Sequence, residues 1–356
     1  MYVNKEPHSE IARLYSEIMG RESTERNVIR RIQKWKAKML ADEELKENIT
    51  LTDHRLHNAT VQYSFDENGK AIPIQAWGKT KPEENDRYNQ ILEAISKLKP
   101  IRLEKTTTNN NTVDSLLEIP LPDMHFGIGT YKLYRNKLQE MVEIIQNKQR
   151  KKIILLMAQD LFHNNDFKGN TSNGTPIEKV DMVKAWEDAY NFYYELINTA
   201  YDHAQEVEVI YSRGNHDESM AWAFVKMLEK LFPDIKFDTS LDDVKARKYG
   251  EIFIGWSHSD KGKKKISGSN KKNNADIRGV FAERFKMMWA TTSVREIHLG
   301  HLHHEWAKDL WGFVVRHLSS GVPTDEYHDI NDWIANHKRF QLFEYSTKKL
   351  KTIHYI

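Results

Sequence analysis

The chain has 356 residues, and its 53 basic and 51 acidic side chains leave a net charge of +2, which excludes a general electrostatic attraction to nucleic acid. It contains no cysteine, which excludes disulfides, thiolate metal sites and cysteine nucleophiles and is typical of a reducing compartment. No apolar run approaches the roughly 18 residues that cross a bilayer, and the N-terminus lacks the apolar core of a signal peptide. Composition therefore predicts a folded cytoplasmic protein that does not enter a membrane.

Residues 1–48 contain two helical patterns separated by Gly20. Apolar residues recur at helical spacing over residues 11–18 and again over residues 28–39, where basic side chains cover the polar face. A basic helix after a short turn favours a helix-turn-helix-like DNA-binding region. A helical pair with a solvated basic face fits the pattern equally well.

Residues 49–112 are polar and predict a mixed connecting region that ends in a linker. Asn68-Gly69 is a strong type I′ turn signal and predicts a β-hairpin, and residues 84–98 have the pattern of a helix. The segment 106–114 has no hydrophobic periodicity and predicts the linker itself. The main domain is therefore expected to begin after it.

The main domain, residues 113–356, alternates short apolar runs with helical patterns. Strand-like runs over 115–123, 151–160 and 207–213 are separated by two helical segments, which is the signature of an α/β fold. Later strand-like runs have fewer helices between them. The order predicts an α/β domain of two packed sheets flanked by helices, preceded by a small, mainly helical N-terminal region.

Five of the apolar runs end in polar residues that a buried strand does not require. In α/β sheets ligands lie beyond the carboxyl ends of the strands, so these residues are expected to meet in space. Imidazole, carboxylate and amide donors without sulfur suit a pair of divalent cations. In chain order the residues are Asp123 and His125, then Asp160, then Asn215 with His216 and Asp217, then His258, and finally His301 and His303.

These blocks resemble the calcineurin-like metallophosphoesterase superfamily, whose pattern is D-x-H, G-D, G-N-H-D/E, H and G-H-x-H. All five blocks occur in order over residues 116–345, although Gln159 stands where the family usually has glycine. The segment QDLFH is similar to the Mre11/SbcD-type DNA nucleases, and the segments NDFKGNTSNGTP and SGVPTDEYHD look like metallophosphoesterases of phages and prophages. The resemblance implies the metallophosphoesterase fold and an enzyme encoded by a phage or prophage that acts in the host cytoplasm.

The resemblance also implies a set of metal ligands. Asp123, His125 and His303 would bind one ion, Asn215, His258 and His301 would bind the other, and Asp160 would bridge both. Purple acid phosphatases have a tyrosine ligand where His163 stands, so a ferric site is not expected. Mn²⁺ is the first expectation, with Mg²⁺, Fe²⁺ and Zn²⁺ as alternatives.

The resemblance also implies roles for four further residues. A hydroxide that bridges the metals would attack the phosphodiester, and His216 would protonate the leaving oxygen. Asp217 would orient the ring of His216. Arg213 is a candidate contact to phosphate or to the ligands, and His163 a candidate support behind the ligands.

Two loops and two histidines near these blocks have more than one interpretation. The lysine-rich segment 259–278 predicts either a basic loop that follows a phosphate backbone or a solvated loop. Residues 164–175 either shape the substrate site or only connect two elements. His298 lies within a strand and is expected to pack rather than bind metal, whereas His304 follows the last block and is a candidate substrate contact.

Three functions remain open at this stage. A DNA nuclease is favoured because QDLFH, the basic segment and the N-terminal helices point to the same substrate. The second is a phosphatase or phosphodiesterase acting on a small nucleotide, with residues 1–48 capping the site or mediating homo-oligomerisation. The third is a DNA-binding protein with a structural metal site. A nuclease of this type would act with a separate ATPase partner, since the chain contains no P-loop motif.

Overall fold

The computed structural model describes residues 54–65, 71–82, 84–106, 112–260, 271–323 and 337–356. By internal contacts the chain forms two compact units, Met1–Ile91 and Leu92–Ile356. The helices predicted in residues 1–48 and the basic segment up to residue 270 lie outside the described residues. No helix of the described residues is both long and apolar enough to cross a membrane.

The first unit contains an antiparallel hairpin. Its strands are β1 (His54–Phe65) and β2 (Ala71–Pro82), and the last residue of β1, Phe65, pairs with the first residue of β2, Ala71. The antiparallel pairing of the predicted hairpin is therefore confirmed, while its turn at Asn68-Gly69 lies outside the described residues. A helix, α1 (Glu84–Ser96), follows where the sequence predicts one.

The second unit contains two mixed β-sheets. In the larger sheet the strand order is β13-β12-β3-β4-β5-β6, with β3 through β6 parallel and β12 antiparallel to β3. Its strands are β3 (Val113–Pro120), β4 (Arg150–Ala158), β5 (Ala204–Ser212), β6 (Lys236–Asp238), β12 (Gln341–Ser346) and β13 (Leu350–Tyr355).

The smaller sheet has the order β10-β11-β9-β8-β7, in which β8, β9 and β11 are parallel. The edge strands β7 and β10 are antiparallel to their neighbours. Its strands are β7 (Val244–Tyr249), β8 (Ile252–Ser257), β9 (Val294–Leu299), β10 (Trp306–Leu310) and β11 (Phe313–His317).

Helices cover the outer face of each sheet. On the larger sheet lie α2 (Tyr131–Gln146), α3 (Met182–Asp202) and α4 (Glu218–Leu231), whose apolar residues share one core with β3, β4 and β5. On the smaller sheet lie α5 (Lys271–Arg284) and α6 (Lys286–Ala290), which pack Phe281 and Trp289 against Phe253. On the larger sheet, apolar stripes at helical spacing produce this arrangement, because α2, α3 and α4 each bury a stripe against the sheet.

A third apolar cluster lies between the two sheets. It joins Leu116, Ile154 and Ile210 of the larger sheet to Ile254 and Trp256 of the smaller one. The predicted α/β architecture of two sheets flanked by helices is therefore confirmed. Its parallel strands bring the carboxyl ends of β3, β4, β5, β8 and β9 to one end of the sandwich.

Candidate metal centre

The residues predicted as metal ligands come together at that end of the sandwich. Three side chains, Asp123, His125 and His303, place donor atoms within 4.8 Å of one another. A second group with the same spacing consists of Asp160, His258 and His301. No single loop supplies all the residues of either group, so the fold assembles both groups from several strand ends.

The donor atoms of the first group lie close to one another. His125 Nε2 lies 3.2 Å from His303 Nε2, and His303 Nε2 lies 3.3 Å from Asp123 Oδ1. The carboxylate of Asp123 also accepts the backbone N–H of His301, at 2.9 Å from its Oδ2. Because Asp123 is fully buried, these two neighbours, His303 and His301, define the direction in which its oxygens point.

The second group includes the predicted amide ligand. His258 Nε2 lies 3.0 Å from Asp160 Oδ2 and 2.9 Å from Asn215 Oδ1. The other oxygen of Asp160 accepts the backbone N–H of His216 at 2.8 Å. The charge of Asp160 also acts on His125, so this carboxylate couples the second group electrostatically to the first.

Five of the predicted ligands have left-handed backbone conformations. The φ angles are +54° for Asp123, +44° for His125, +66° for Asp160, +78° for His301 and +54° for His303. For residues other than glycine this region costs on the order of 1–3 kcal/mol each and persists where the surroundings impose it. The concentration of such residues at one end of the sandwich indicates a functional site.

Gly214 makes the close approach of two strand ends possible. A Cβ atom added there would lie 2.0 Å from Asp160 Oδ1 and 2.2 Å from the Asp160 backbone nitrogen. Any larger residue would displace the carboxylate of Asp160. The glycine before Asn215 is therefore required by the geometry of the site.

Gln159, the departure from the usual family pattern, is accommodated within the site. Its side-chain amide donates to Ser212 Oγ at 2.8 Å, and its backbone N–H donates to Ser212 O at 2.7 Å. The backbone N–H of Asp123 in turn donates to Gln159 O at 2.7 Å. Gln159 thus connects the ends of β3, β4 and β5, and Asp160 beside it remains directed into the site.

The residues of the site shift one another's pKa values. Burial favours a higher pKa for Asp160, but the charges of His258 and His216 outweigh burial and hold its pKa well below the usual range. Burial would likewise lower the pKa of His258, but Asp160 raises it to about 9. The pKa of His125 lies well below its usual value because of burial and the neighbouring His216 and His303.

His216 is held by a different group from the one expected. Its Nδ1 lies 2.9 Å from the backbone oxygen of His163, and its ring packs edge-on against His125 at 4.7 Å. The carboxylate of Asp217 instead accepts the backbone N–H of Phe162 at 2.6 Å. Burial and the charge of Asp160 raise the pKa of Asp217 well above its usual value. The ring of His216 is therefore oriented by a carbonyl, while Asp217 holds the loop after β4.

Arg213, which follows β5, forms ion pairs with residues next to β7 and β8. Its guanidinium donates to Asp243 at 2.6 Å, to Asp260 at 2.8 and 2.9 Å and to Gly214 O at 2.8 Å, and its side chain is 4% exposed. With these donors occupied by two carboxylates and a carbonyl, the residue is not placed to contact a phosphate. It holds the segment before Asn215 next to the segment after His258.

His163 and His298 are both buried and have different neighbours. His163 is buried behind the first group, with its Nδ1 3.4 Å from His125 Nδ1, and its carbonyl holds His216. His298 is fully buried between the sheets and places Nδ1 2.7 Å from Glu118 Oε1. His298 therefore packs and does not belong to the metal-ligand groups.

The loop after Asp160 packs against the start of α4. Asn165 Oδ1 accepts the backbone N–H of Ser219, and Ser172 Oγ accepts that of Glu218 at 2.7 Å. The backbone N–H of Ser172 donates to Asn215 O at 3.2 Å. This loop consequently fixes a predicted ligand from outside and is more than a connection.

The donor set fits a pair of divalent ions. Ligands about 2.0–2.2 Å from a shared ion lie on the order of 3 Å apart, as the paired donors of both groups do. Two imidazole nitrogens facing each other at 3.2 Å, His125 and His303, gain a common partner when a cation lies beside them. A third cluster of this type in the described part of the chain, His125, His163 and His216, shares His125 with the first group and therefore belongs to the same centre.

Comparison with protein-family models and with curated proteins gives no match. Solved structures that match include Vps29 of Entamoeba histolytica complexed with Zn²⁺, at 12% identity and TM-score 0.31, over 68% of this chain and 98% of that one. A predicted phosphoesterase of Streptococcus pneumoniae matches at 10% identity and TM-score 0.33, over 69% and 91%. An archaeal phosphodiesterase matches at 10% identity and TM-score 0.32, over 68% and 98%. Similarities of this size do not assign an activity, which has to be inferred from the site.

Proposed function

We propose that the chain is a two-metal phosphoesterase of the calcineurin-like metallophosphoesterase superfamily that hydrolyses phosphodiesters in nucleic acid, with DNA as the first candidate. The observation that carries the proposal is the pair of donor groups at one end of the sandwich, centred on Asp123 and Asp160. Their buried carboxylates and imidazoles form a set that divalent ions bind, and left-handed backbone conformations at five ligands maintain it.

In this proposal Asp123, His125 and His303 hold one ion, while His258 and His301 hold the other. Asn215 completes the second group and Asp160 is shared between them. Mn²⁺ is the proposed ion, because the donors are nitrogen and oxygen and tyrosine is absent from the position of His163. Two bound ions would supply an activated water and balance the charge of the phosphate.

The chain's own residues provide the remaining chemistry. The carbonyl of His163 holds Nδ1 of His216, so the ring has a defined orientation next to both groups. His216 is proposed to donate its proton to the leaving oxygen, a task for which imidazole is well suited near neutral pH. Asp217 and Arg213 are proposed to position the strand ends that carry His216 and Asn215.

Two features of the sequence support nucleic acid as the substrate. The lysine-rich segment begins directly after the strand end that carries His258, and QDLFH contains the proposed bridging Asp160. A basic segment beside a phosphate-binding site favours a polyanion over a single small phosphate ester. A small nucleotide is the competing substrate, and the following experiment distinguishes it from nucleic acid.

The test incubates the purified chain with Mn²⁺ and measures hydrolysis of bis(p-nitrophenyl) phosphate, p-nitrophenyl phosphate, and labelled single- and double-stranded DNA and RNA. Asp160→Asn is expected to lower hydrolysis at least about 100-fold, because a shared ligand is lost. Asp188→Asn is the matched control, since that carboxylate is also buried but lies on α3 and pairs with Lys184.

The outcomes separate the three functions. Cleavage of DNA or RNA that Asp160→Asn removes supports the nuclease. Intact nucleic acids together with hydrolysis of a mononucleotide would replace it with the small-nucleotide enzyme. A melting temperature that Mn²⁺ raises without any hydrolysis would instead indicate a structural metal site.

A further inference from the structure

An open hollow with a volume of about 360 Å³ lies next to the residues that follow His303 in the chain. It is lined by the start of β10 and the residues before it, by Ser319, and by His337 and Arg339 after the segment that is not described. This volume is within the range of about 300–1,000 Å³ that small-molecule sites occupy. None of these residues belongs to the two metal-ligand groups.

The hollow is adjacent to the metal centre through two chain segments. His304 lines it and directly follows His303, a predicted ligand, at the about 3.8 Å spacing of consecutive Cα atoms. Ser319 lines it and directly precedes Ser320, whose Oγ donates to the backbone oxygen of Asp123 at 2.6 Å. The hollow and the metal centre therefore share two chain segments, one residue apart in each.

The lining residues offer aromatic surface and little uncompensated charge. The ring of Trp306 packs on the buried ring of His317 at 4.6 Å, which holds the indole in place. Arg339 forms an ion pair with Glu305 and lies 4.2 Å from the ring centroid of Tyr355. Because the guanidinium is already paired, the hollow does not favour a second phosphate.

The histidines add hydrogen-bonding capacity at the rim. His304 is exposed, and its Nδ1 lies 3.0 Å from Leu302 O, so a proton on Nδ1 leaves Nε2 as an acceptor. His337 is exposed on the opposite segment. An indole with polar ring atoms around it is the surface that proteins use to stack and recognise flat nitrogen heterocycles.

We propose that this hollow, the base subsite, binds the nucleobase of the nucleotide whose phosphate is cleaved. The inference rests on the proposed function, since it names the part of the substrate that lies next to the reacting phosphate. Trp306 supplies the stacking surface, and His304 contacts the edge of the base. The subsite makes the enzyme selective for nucleotide diesters over simple alkyl diesters.

The test compares two esters with the same leaving group, thymidine 5′-(p-nitrophenyl phosphate) and methyl p-nitrophenyl phosphate, in the presence of Mn²⁺. Trp306→Ala is expected to raise KM for the thymidine ester about 10-fold, in keeping with the loss of one base–aromatic stack. The same variant should leave kcat and KM for the methyl ester unchanged, and Trp306→Phe should restore most of the preference.

Trp311→Ala is the matched control. Trp311 lies at the tip of the same β10–β11 hairpin and is 91% exposed, outside the hollow, so neither ester should be affected. His304→Ala is a second variant at an exposed position, for use if Trp306→Ala does not fold, and should weaken the thymidine ester selectively. Equal losses on both esters, or a wild-type chain without preference for the thymidine ester, would overturn the base subsite.

Failure of the proposed function is distinguishable from failure of the subsite. If the wild-type chain hydrolyses neither ester, the proposed function fails. Equilibrium dialysis with adenosine, which has no phosphate, then tests the subsite alone. Trp306→Ala must weaken adenosine binding while Trp311→Ala does not, and unchanged binding in both variants would end the inference.

Discussion

At the scale of single residues, hydrogen bonds and ion pairs of side chains fix the geometry of the site. Asp160 accepts the backbone N–H of His216 and faces His258, so a change at Asp160 affects both the proposed acid and a ligand of the second group. The ring of His216, in contrast, is oriented by the backbone oxygen of His163. These different environments predict different effects of substitution.

His216→Gln should slow the reaction only when the leaving group needs a proton. For an oligonucleotide, whose leaving oxygen is a poor anion, the loss is expected to be about 100- to 10,000-fold, the usual contribution of a general acid. For bis(p-nitrophenyl) phosphate, whose leaving phenolate is stable without a proton, the loss should be much smaller. Rates on both substrates at saturating Mn²⁺ measure the difference, and equal losses would show that His216 is not the acid.

Gly214→Ala should disrupt the metal centre and the fold together. Its Cβ would overlap Asp160 Oδ1 and the Asp160 backbone nitrogen, at a cost of about 1–3 kcal/mol of stability, and Mn²⁺ should no longer raise the melting temperature. Gly279→Ala is the control, because Gly279 is exposed on α5 with no atom within 4 Å of the added Cβ. It should be neutral or stabilise the chain by up to about 1 kcal/mol. Urea unfolding with and without Mn²⁺ measures both variants, and a fully active Gly214→Ala would contradict the close approach.

At the scale of elements, one buried carboxylate joins the two sheets. Glu118 on β3 is fully buried and accepts from Trp256 Nε1 on β8 at 2.6 Å and from Tyr345 OH on β12 at 2.9 Å. Its Oε1 also lies 2.7 Å from His298 Nδ1 on β9. These contacts hold the sheets in the register that brings their strand ends to the metal centre.

Glu118→Gln should destabilise the chain by about 3–5 kcal/mol, because it leaves the buried His298 without the opposite charge of Glu118. Burial would lower the pKa of His298, but Glu118 raises it to about 9, above the ordinary value of 6.5. The pair therefore stabilises the fold fully below pH 6.5, and this contribution is lost as the pH rises through 9.

Urea unfolding at several pH values from neutral to alkaline measures this effect. The wild-type chain should lose stability over that range, while Glu118→Gln should show a flatter dependence. An identical pH dependence in both proteins would show that the pair does not titrate as described. Tyr249→Phe is a control, since Tyr249 OH donates to Asp114 at the far end of β3 and does not contact His298.

At the scale of the whole molecule, the metal centre is built entirely within the unit Leu92–Ile356. Ile101 donates its backbone N–H to Leu231 O, and Leu103 packs in the core under α2, α3 and α4. The segment before β3 is thus part of this unit, although the sequence suggests a linker close by. Residues 1–48 contribute no predicted ligand.

Deleting residues 1–48 should therefore retain Mn²⁺-dependent hydrolysis of bis(p-nitrophenyl) phosphate. If these residues form a DNA-binding region, the deletion should weaken DNA binding and reduce its salt dependence, because fewer phosphate contacts release counterions. Binding isotherms at several salt concentrations provide the measurement. Unchanged DNA binding would favour the helical pair with a solvated basic face.

Regular elements with a clear hydrophobic pattern could be predicted, and others could not. The helices α2 and α3 and the strands β4, β5 and β8 occur where the sequence predicts them, since each has an apolar stripe or run. β7 was not predicted, because its apolar pattern is interrupted by Lys245 and Arg247. The structure buries Lys245 against Asp238 and pairs Arg247 with Glu208, so charge is compensated inside a strand.

The sequence by itself determined which donors are available and at which strand ends they lie, because the identity of a side chain and the period of a strand are local properties. It did not determine that Asp217 holds Phe162, that Arg213 pairs with Asp243 and Asp260, or that Glu118 joins two sheets. Those partners are dozens of positions apart in the chain. Only the order and register of the strands bring them within hydrogen-bonding distance, so the tertiary structure alone decided them.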